Sequence, residues 1–139
     1  MTAKEYLRQL IDMNSEIESI YDQIAWLRAQ ATKVTTTYSD MPPGGESKDI
    51  SDIMNDIFDL EGSYVFALGE LTKLKREASA VIEKITDNRH RTVLRKRYLN
   101  SENWETIADE TGYSLRQVYR LHGEALCAYE KKMSLNVTR

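Results

Sequence analysis

The chain has 139 residues, room for one domain or for one elongated element with a small module attached. Nineteen Lys and Arg against 22 Asp and Glu give a net charge of −3, which excludes a protein that coats nucleic acid through overall basicity. Cys127 is the single cysteine, so no internal disulfide forms, and no apolar run approaches the ~20 residues that span a bilayer; a cytoplasmic protein is expected.

The first predicted helix runs from about Thr2 or Ala3 to Ala31. Tyr6, Leu10, Met13, Ile17, Ile20, Ile24, Leu27 and Ala31 recur at alternating steps of four and three, an unbroken heptad seam. The segment Thr32–Ser47 then interrupts with β-branched threonines, Pro42-Pro43 and Gly44-Gly45, which disfavour helix. A second long helix, from about Lys48 to Ile85, carries its own seam from Ile50 through Ile57, Leu60, Tyr64, Leu71 and Ala78 to Ile85. Two such seams joined by one loop (about residues 32–48) predict an antiparallel coiled-coil hairpin over residues 1–86. The second helix is expected to exceed the first by about nine residues, or about 13 Å, so that Val81, Ile82 and Ile85 pack against the C-terminal module.

The hairpin seam does not account for every apolar residue. Leu7 and Tyr21 of the first helix lie on one flank and Met54, Leu68 and Ile82 of the second on the corresponding one, with Phe58, Val65 and Phe66 further round. This width predicts burial from more than one side, and self-association of the hairpin into a homodimer satisfies it. Gly62 and Gly69, a heptad apart, would allow a second hairpin to approach closely.

Residues 87–139 are expected to form a separate module of three helices, completing an all-α fold. Asp87 or Asn88 opens a helix over Arg89–Leu99, and Ser101 is expected to cap the next, Glu102–Thr111. Trp104, Ile107 and Ala108 lie on one face of it, with Tyr98 and Leu99 packed under Trp104. Gly112 suits the left-handed turn after that helix, and Ser114 with Gln117 makes a capping box for a last helix. Val118, Leu121, Ala125 and Leu126 are its inward positions. Two short helices joined by a glycine-bearing turn are the layout of a helix-turn-helix, whose second helix enters the DNA major groove.

Local charge agrees with that reading. Residues 1–86 hold nine cations and fifteen anions, whereas residues 87–139 hold ten cations and seven anions. Arg116, Gln117, Tyr119 and Arg120 face outward near the start of the last helix. Arginine and glutamine can make paired hydrogen bonds to guanine and adenine edges, and Ser114 suits a phosphate oxygen. Arg95 and Lys96, in a run of five cations from Arg89 to Arg97, are candidates for phosphate contact. His90 and His122 have no metal-ligand spacing, and no phosphate-cradling loop or catalytic constellation is present, so no metal, cofactor or enzymatic activity is expected.

The stretch RTVLRKRYLNSENWETIADETGYSLRQVYRLHGEAL resembles the DNA-binding region 4 of sigma-70-type factors. An arginine-rich helix ending in Tyr-Leu precedes a Trp-Glu-x-Ile-Ala helix, Gly-Tyr-Ser and a recognition helix ending in Ala-Leu. With TAKEYL, the Ser-Asp-Met-Pro loop and LHGEAL, the chain also resembles small phage and prophage proteins of Gram-positive bacteria, some related in type to late-gene transcription regulators. The resemblance implies a transcriptional regulator with double-stranded DNA as partner and RNA polymerase as a second candidate. A protein-interaction adaptor, or a DNA-packaging protein like small terminase subunits, is the alternative. The promoter −10 recognition region of a true sigma factor is absent, so the resemblance does not imply autonomous sigma activity.

Overall fold

The computed structural model describes residues 1–38 and 47–137, and among these the regular structure is entirely helical. The order is α1 (Ala3–Tyr38), α2 (Ser47–Ile82), α3 (Asn88–Leu94), a π-helical segment (Arg95–Leu99), α4 (Trp104–Thr111) and α5 (Leu115–Val137). The all-α class expected from the periodicity is what forms.

Helix α1 does not stop at Ala31 but continues to Tyr38, so the connection expected over 32–48 is shorter. Threonine costs a helix only a few tenths of a kcal/mol. Thr32 also fits by donating its hydroxyl to the Arg28 carbonyl at 3.0 Å, while Ala31 still packs in the seam. The Pro42-Pro43-Gly44-Gly45 stretch lies outside the described residues. At the other end, α2 stops at Ile82, three residues before the expected Ile85. There the Lys84 and Ile85 amides donate to the Val81 and Ile82 carbonyls at 3.1 and 3.0 Å, the tight bonding that closes a helix end. Both long helices therefore have 36 residues, and α2 does not overrun α1 by nine.

The helices contribute to two compact units, Ser15–Glu70, and Met1–Asn14 together with Leu71–Arg139. In the first, Ile24, Leu27 and Ile57 are buried, and Ile20, Ala31, Ile53, Leu60 and Tyr64 pack against them. Each fully buried aliphatic side chain is worth about 1.5–3 kcal/mol, so this seam holds the pair together. Tyr21 meets Tyr64 with ring centroids 6.1 Å apart, and Arg28 pairs with Glu61. Rising numbers on one helix meet falling numbers on the other, so the pairing is antiparallel.

The second unit differs from the expected boundary at residue 86, because the first turns of α1 are part of it. Ala3, Leu7 and Leu10 are buried there with Val81, Ile82 and Ile85. Leu7 is fully buried and the seam residue Tyr6 only partly, its hydroxyl donating to Glu77 Oε2 at 3.1 Å. The buried face of α1 has widened here, adding Ala3 and Leu7 to the seam residue Leu10, to serve a wider core. Val81, Ile82 and Ile85 are thus buried in a shared core rather than by an overhang.

The caps follow side-chain chemistry. Asp87 accepts from the Arg89 amide at 2.8 Å and opens α3. Helix α4 is capped by Asn103, which accepts from the Thr106 amide at 2.8 Å, and not by Ser101 as expected. The Glu102 amide donates back to the Lys96 carbonyl at 2.9 Å and so belongs to the preceding turn, which displaces the start of α4 to Trp104. The helix expected over Arg89–Leu99 is α3 followed by the π turn, in which the Asn100 amide reaches the Arg95 carbonyl at 2.9 Å.

Candidate nucleic-acid interface

Helices α4 and α5 are joined by Gly112-Tyr113-Ser114 and packed on one small core of Ile107, Ala108 and Val118, with Trp104 and Tyr113 at its edge. Gly112 has φ 77°, a left-handed conformation in which a side chain is strained, and its amide closes α4 on the Ala108 carbonyl at 3.0 Å. Ser114 and Gln117 form the expected capping box. The Gln117 amide donates to Ser114 Oγ at 3.2 Å, and the Ser114 amide to Gln117 Oε1 at 2.9 Å. Val118, Leu121 and Ala125 are buried and Leu126 half-buried, so the inward face of α5 is as expected.

The outward face is less uniform than its sequence suggests. Arg116 is exposed and enters no salt bridge among the described residues. Arg120 is exposed but paired with Glu124 at 3.2 Å, one turn on. Ser114 and Gln117 have committed one hydrogen bond each way to the cap, so Gln117 can offer an adenine both its amide groups only by giving that bond up. Tyr119 is half-exposed, held edge-on to Trp104 at 5.4 Å. Leu115, partly exposed at the first position of α5, joins this face without a signal in the spacing; a branched apolar side chain there suits a thymine methyl.

The cations of α3 and the π turn are mostly engaged within the chain. Arg89 pairs with Asp87 at 3.0 Å, and Arg91 donates to the Ile85 and Thr86 carbonyls at 2.6 and 2.9 Å. Arg97 lies over the Trp104 ring at 4.5 Å and donates to the Glu102 carbonyl at 3.0 Å. Lys96, expected to be available for phosphate, pairs with Glu110 of α4. Arg95 is half-buried in the π turn and joins no salt bridge among the described residues. Sequence spacing does not reveal these pairings, because each partner arrives from another turn or another helix.

Behind this face lies a buried polar contact. His122 is 9% exposed, shares a 2.7 Å hydrogen bond with Tyr98 Oη, and meets Trp104 edge-on at 4.6 Å. Burial, with Lys4 and Arg97 nearby, pushes its pKa down to about 4, so at neutral pH it is an uncharged packing residue. Tyr98, expected to pack under Trp104, is buried and bonded to this imidazole, which lies against the Trp104 ring. The Arg89 hydrogen bond holds Asp87 down at about 2, and His90 and then Arg120 depress Glu124. Burial raises Glu102 beside Glu110, while Lys96 lowers Glu110. Next to them, Ser101 has φ 54°, and Arg97 Nε, Ser101 Oγ and Glu102 Oε2 are buried without a hydrogen-bond partner.

Among the described residues no group of His, Cys, Asp or Glu is placed to hold a metal ion, and no helix is long and apolar enough to cross a membrane. The class defined by fold and site is an all-helical protein in which a glycine-turned helix pair presents an arginine-bearing helix start. Residues 31–130 match the DUF1492 family, described as a protein of unknown function, and the chain belongs to that family. No curated protein and no solved structure matches it.

Proposed function

We propose that this chain is a phage-derived transcriptional regulator that binds duplex DNA through the start of α5 and acts as a homodimer through its hairpin. One observation carries the reading. The glycine-turned pair α4–α5 presents Arg116, with Arg120 one turn on, from a unit holding sixteen Lys and Arg against eleven Asp and Glu, a net +5. The Ser15–Glu70 unit holds three against eleven, net −8, so charge is segregated more sharply by packing than by chain halves. Local positive charge on a helix start is what groove recognition requires, and the acidic remainder suppresses indiscriminate coating.

In this reading Arg116 is the principal base contact, Tyr119 and Leu115 border it, and Ser114 and Arg95 serve phosphates. Arg120 and Lys96 exchange their glutamate partners for phosphate oxygens on binding. The test is selection of bound sites from random duplex DNA, then affinity for the selected site across a salt series. The variant Arg116→Ala/Arg120→Ala should lose about tenfold or more in affinity and most of its site preference, since a paired base contact is worth about 1–3 kcal/mol. Unchanged affinity and selectivity would remove this face from the reading. The acidic unit favours a second reading, in which the chain docks on a protein such as RNA polymerase. Recovery of polymerase from host lysate, with no DNA sequence enriched, would support that instead.

A further inference from the structure

At about 100° of rotation per residue, Met54, Phe58, Glu61, Val65 and Leu68 form a second heptad stripe on α2, on the flank next to the α1 seam. The four apolar members are exposed, Phe58 by 76% and Val65 by 68%, although their spacing is that of a helix seam. Tyr21 of α1 extends the face on the same side, as its contact with Tyr64 and the Arg28–Glu61 pair show. Met54 and Phe58 also wall a groove with Ile57, Ala31 and that ion pair. The acids of α2 at Asp52, Asp56, Asp59 and Glu70 lie on another flank, so this face carries charge only as the neutralised Arg28–Glu61 pair.

We infer that a second copy of this chain covers the face, with α2 lying antiparallel on α2 of the partner and crossing it at Gly62. The inference rests on the homodimer part of the proposed function and fixes its register. Three observations select a second copy in this register. Five exposed side chains at about 100 Å² each give roughly 500 Å² per copy and ~1,000 Å² for the pair, the lower bound of a specific interface. The stripe is symmetric about residues 61–62, so an antiparallel copy sets Met54 on the partner's Leu68 and Phe58 on the partner's Val65. Laying α2 on the partner's α1 would instead put the stripe against Ala25, Arg28 and Thr32. Gly62 and Gly69 flank the stripe beside Phe58 and Val65, on the side away from the α1 seam, and none of the described residues comes within 4 Å of where their Cβ atoms would stand. No described neighbour demands glycine there, whereas a helix crossing at Gly62 does.

Cys127 is exposed, so the test uses a Cys127→Ser background and the full chain. Phe58→Cys and Val65→Cys proteins, oxidised together, should form a disulfide-linked dimer between the two variants, while Phe58→Cys alone should not link. Linking of Phe58→Cys to itself would overturn the antiparallel register, and a wild type that sediments as a monomer at tens of micromolar would overturn the second copy. Gly62→Lys removes the close approach while favouring the α2 helix. It should give a folded monomer with unchanged helix content, and a Gly62→Lys dimer would overturn the crossing point. None of these readouts involves DNA, so failure of DNA binding leaves them intact.

Discussion

Two residues beside the α4–α5 pair have conformational or titration states that can be tested singly. Ser101 sits at φ 54° with its hydroxyl buried and unpartnered. A left-handed backbone costs an L-residue roughly 1–2 kcal/mol, which glycine escapes while losing more entropy on folding. Ser101→Gly is therefore expected to raise stability by about 0.5–1 kcal/mol, read as a higher urea midpoint at unchanged slope. His122 provides a pH signature. Its folded pKa of about 4 lies below the ordinary 6.5, so between those values the unfolded chain holds a proton that the folded chain does not. This contribution to stability is complete above pH 6.5 and is lost as the pH falls towards 4, by about 2–3 kcal/mol over the window. Urea midpoints at about pH 7.5 and pH 5.0 should differ in wild type, and His122→Gln should reduce that difference. An equal difference in the variant would show that other groups carry it.

At the scale of elements, what can be read in the sequence is whatever depends on near neighbours. The heptads predict two antiparallel helices, and Gly112, Ser114 and Gln117 predict the turn and cap of α5, because those signals act within about four residues. The π turn is not legible, because it depends on the Asn100 amide reaching Arg95 and the Glu102 amide reaching Lys96, bonds that spacing rules do not enumerate, and it is this turn that moves the cap of α4 from Ser101 to Asn103. The extension of α1 to Tyr38 escapes a reading of its threonines as breakers, because threonine is only a weak helix former. The candidate site is half legible: its residue types are visible, and so is Glu124 four residues after Arg120, whereas Glu110, which holds Lys96 from another helix, is not. The α5 start is also where element energetics can be measured. Ser114→Ala removes an acceptor from the first turn and should cost about 1 kcal/mol, and Gly112→Ala, forced to φ 77°, about 1–2 kcal/mol. Thermal melts should show both lowered while residual helicity elsewhere is kept.

For the whole molecule, the governing quantity is how charge is distributed between its two units. A +5 unit containing sixteen cations has enough charge to cling to DNA through most of them, and a −8 unit opposes that kind of diffuse attraction. Around the α4–α5 pair intramolecular pairing narrows the number: of the cations from Arg89 to Arg120, Arg89, Arg91 and Arg97 are held within the chain, which leaves Arg116 and Arg95 open and Arg120 and Lys96 exchangeable. Each phosphate neutralised contributes about −0.9 to the slope of log K against log salt concentration, so about three to five contacts per copy give a slope of about −3 to −4.5. Engagement of all sixteen cations would instead give about −14 per copy. A salt series on a selected duplex between about 50 and 300 mM distinguishes the two regimes. Arg95→Ala should then flatten the slope by about one without altering site preference, because a phosphate contact positions the protein but carries no sequence information. Arg116→Ala should do the reverse, erasing preference between sites while leaving the slope nearly unchanged. If both variants changed the slope equally and neither changed preference, α5 would be gripping the backbone and the bases would be read elsewhere.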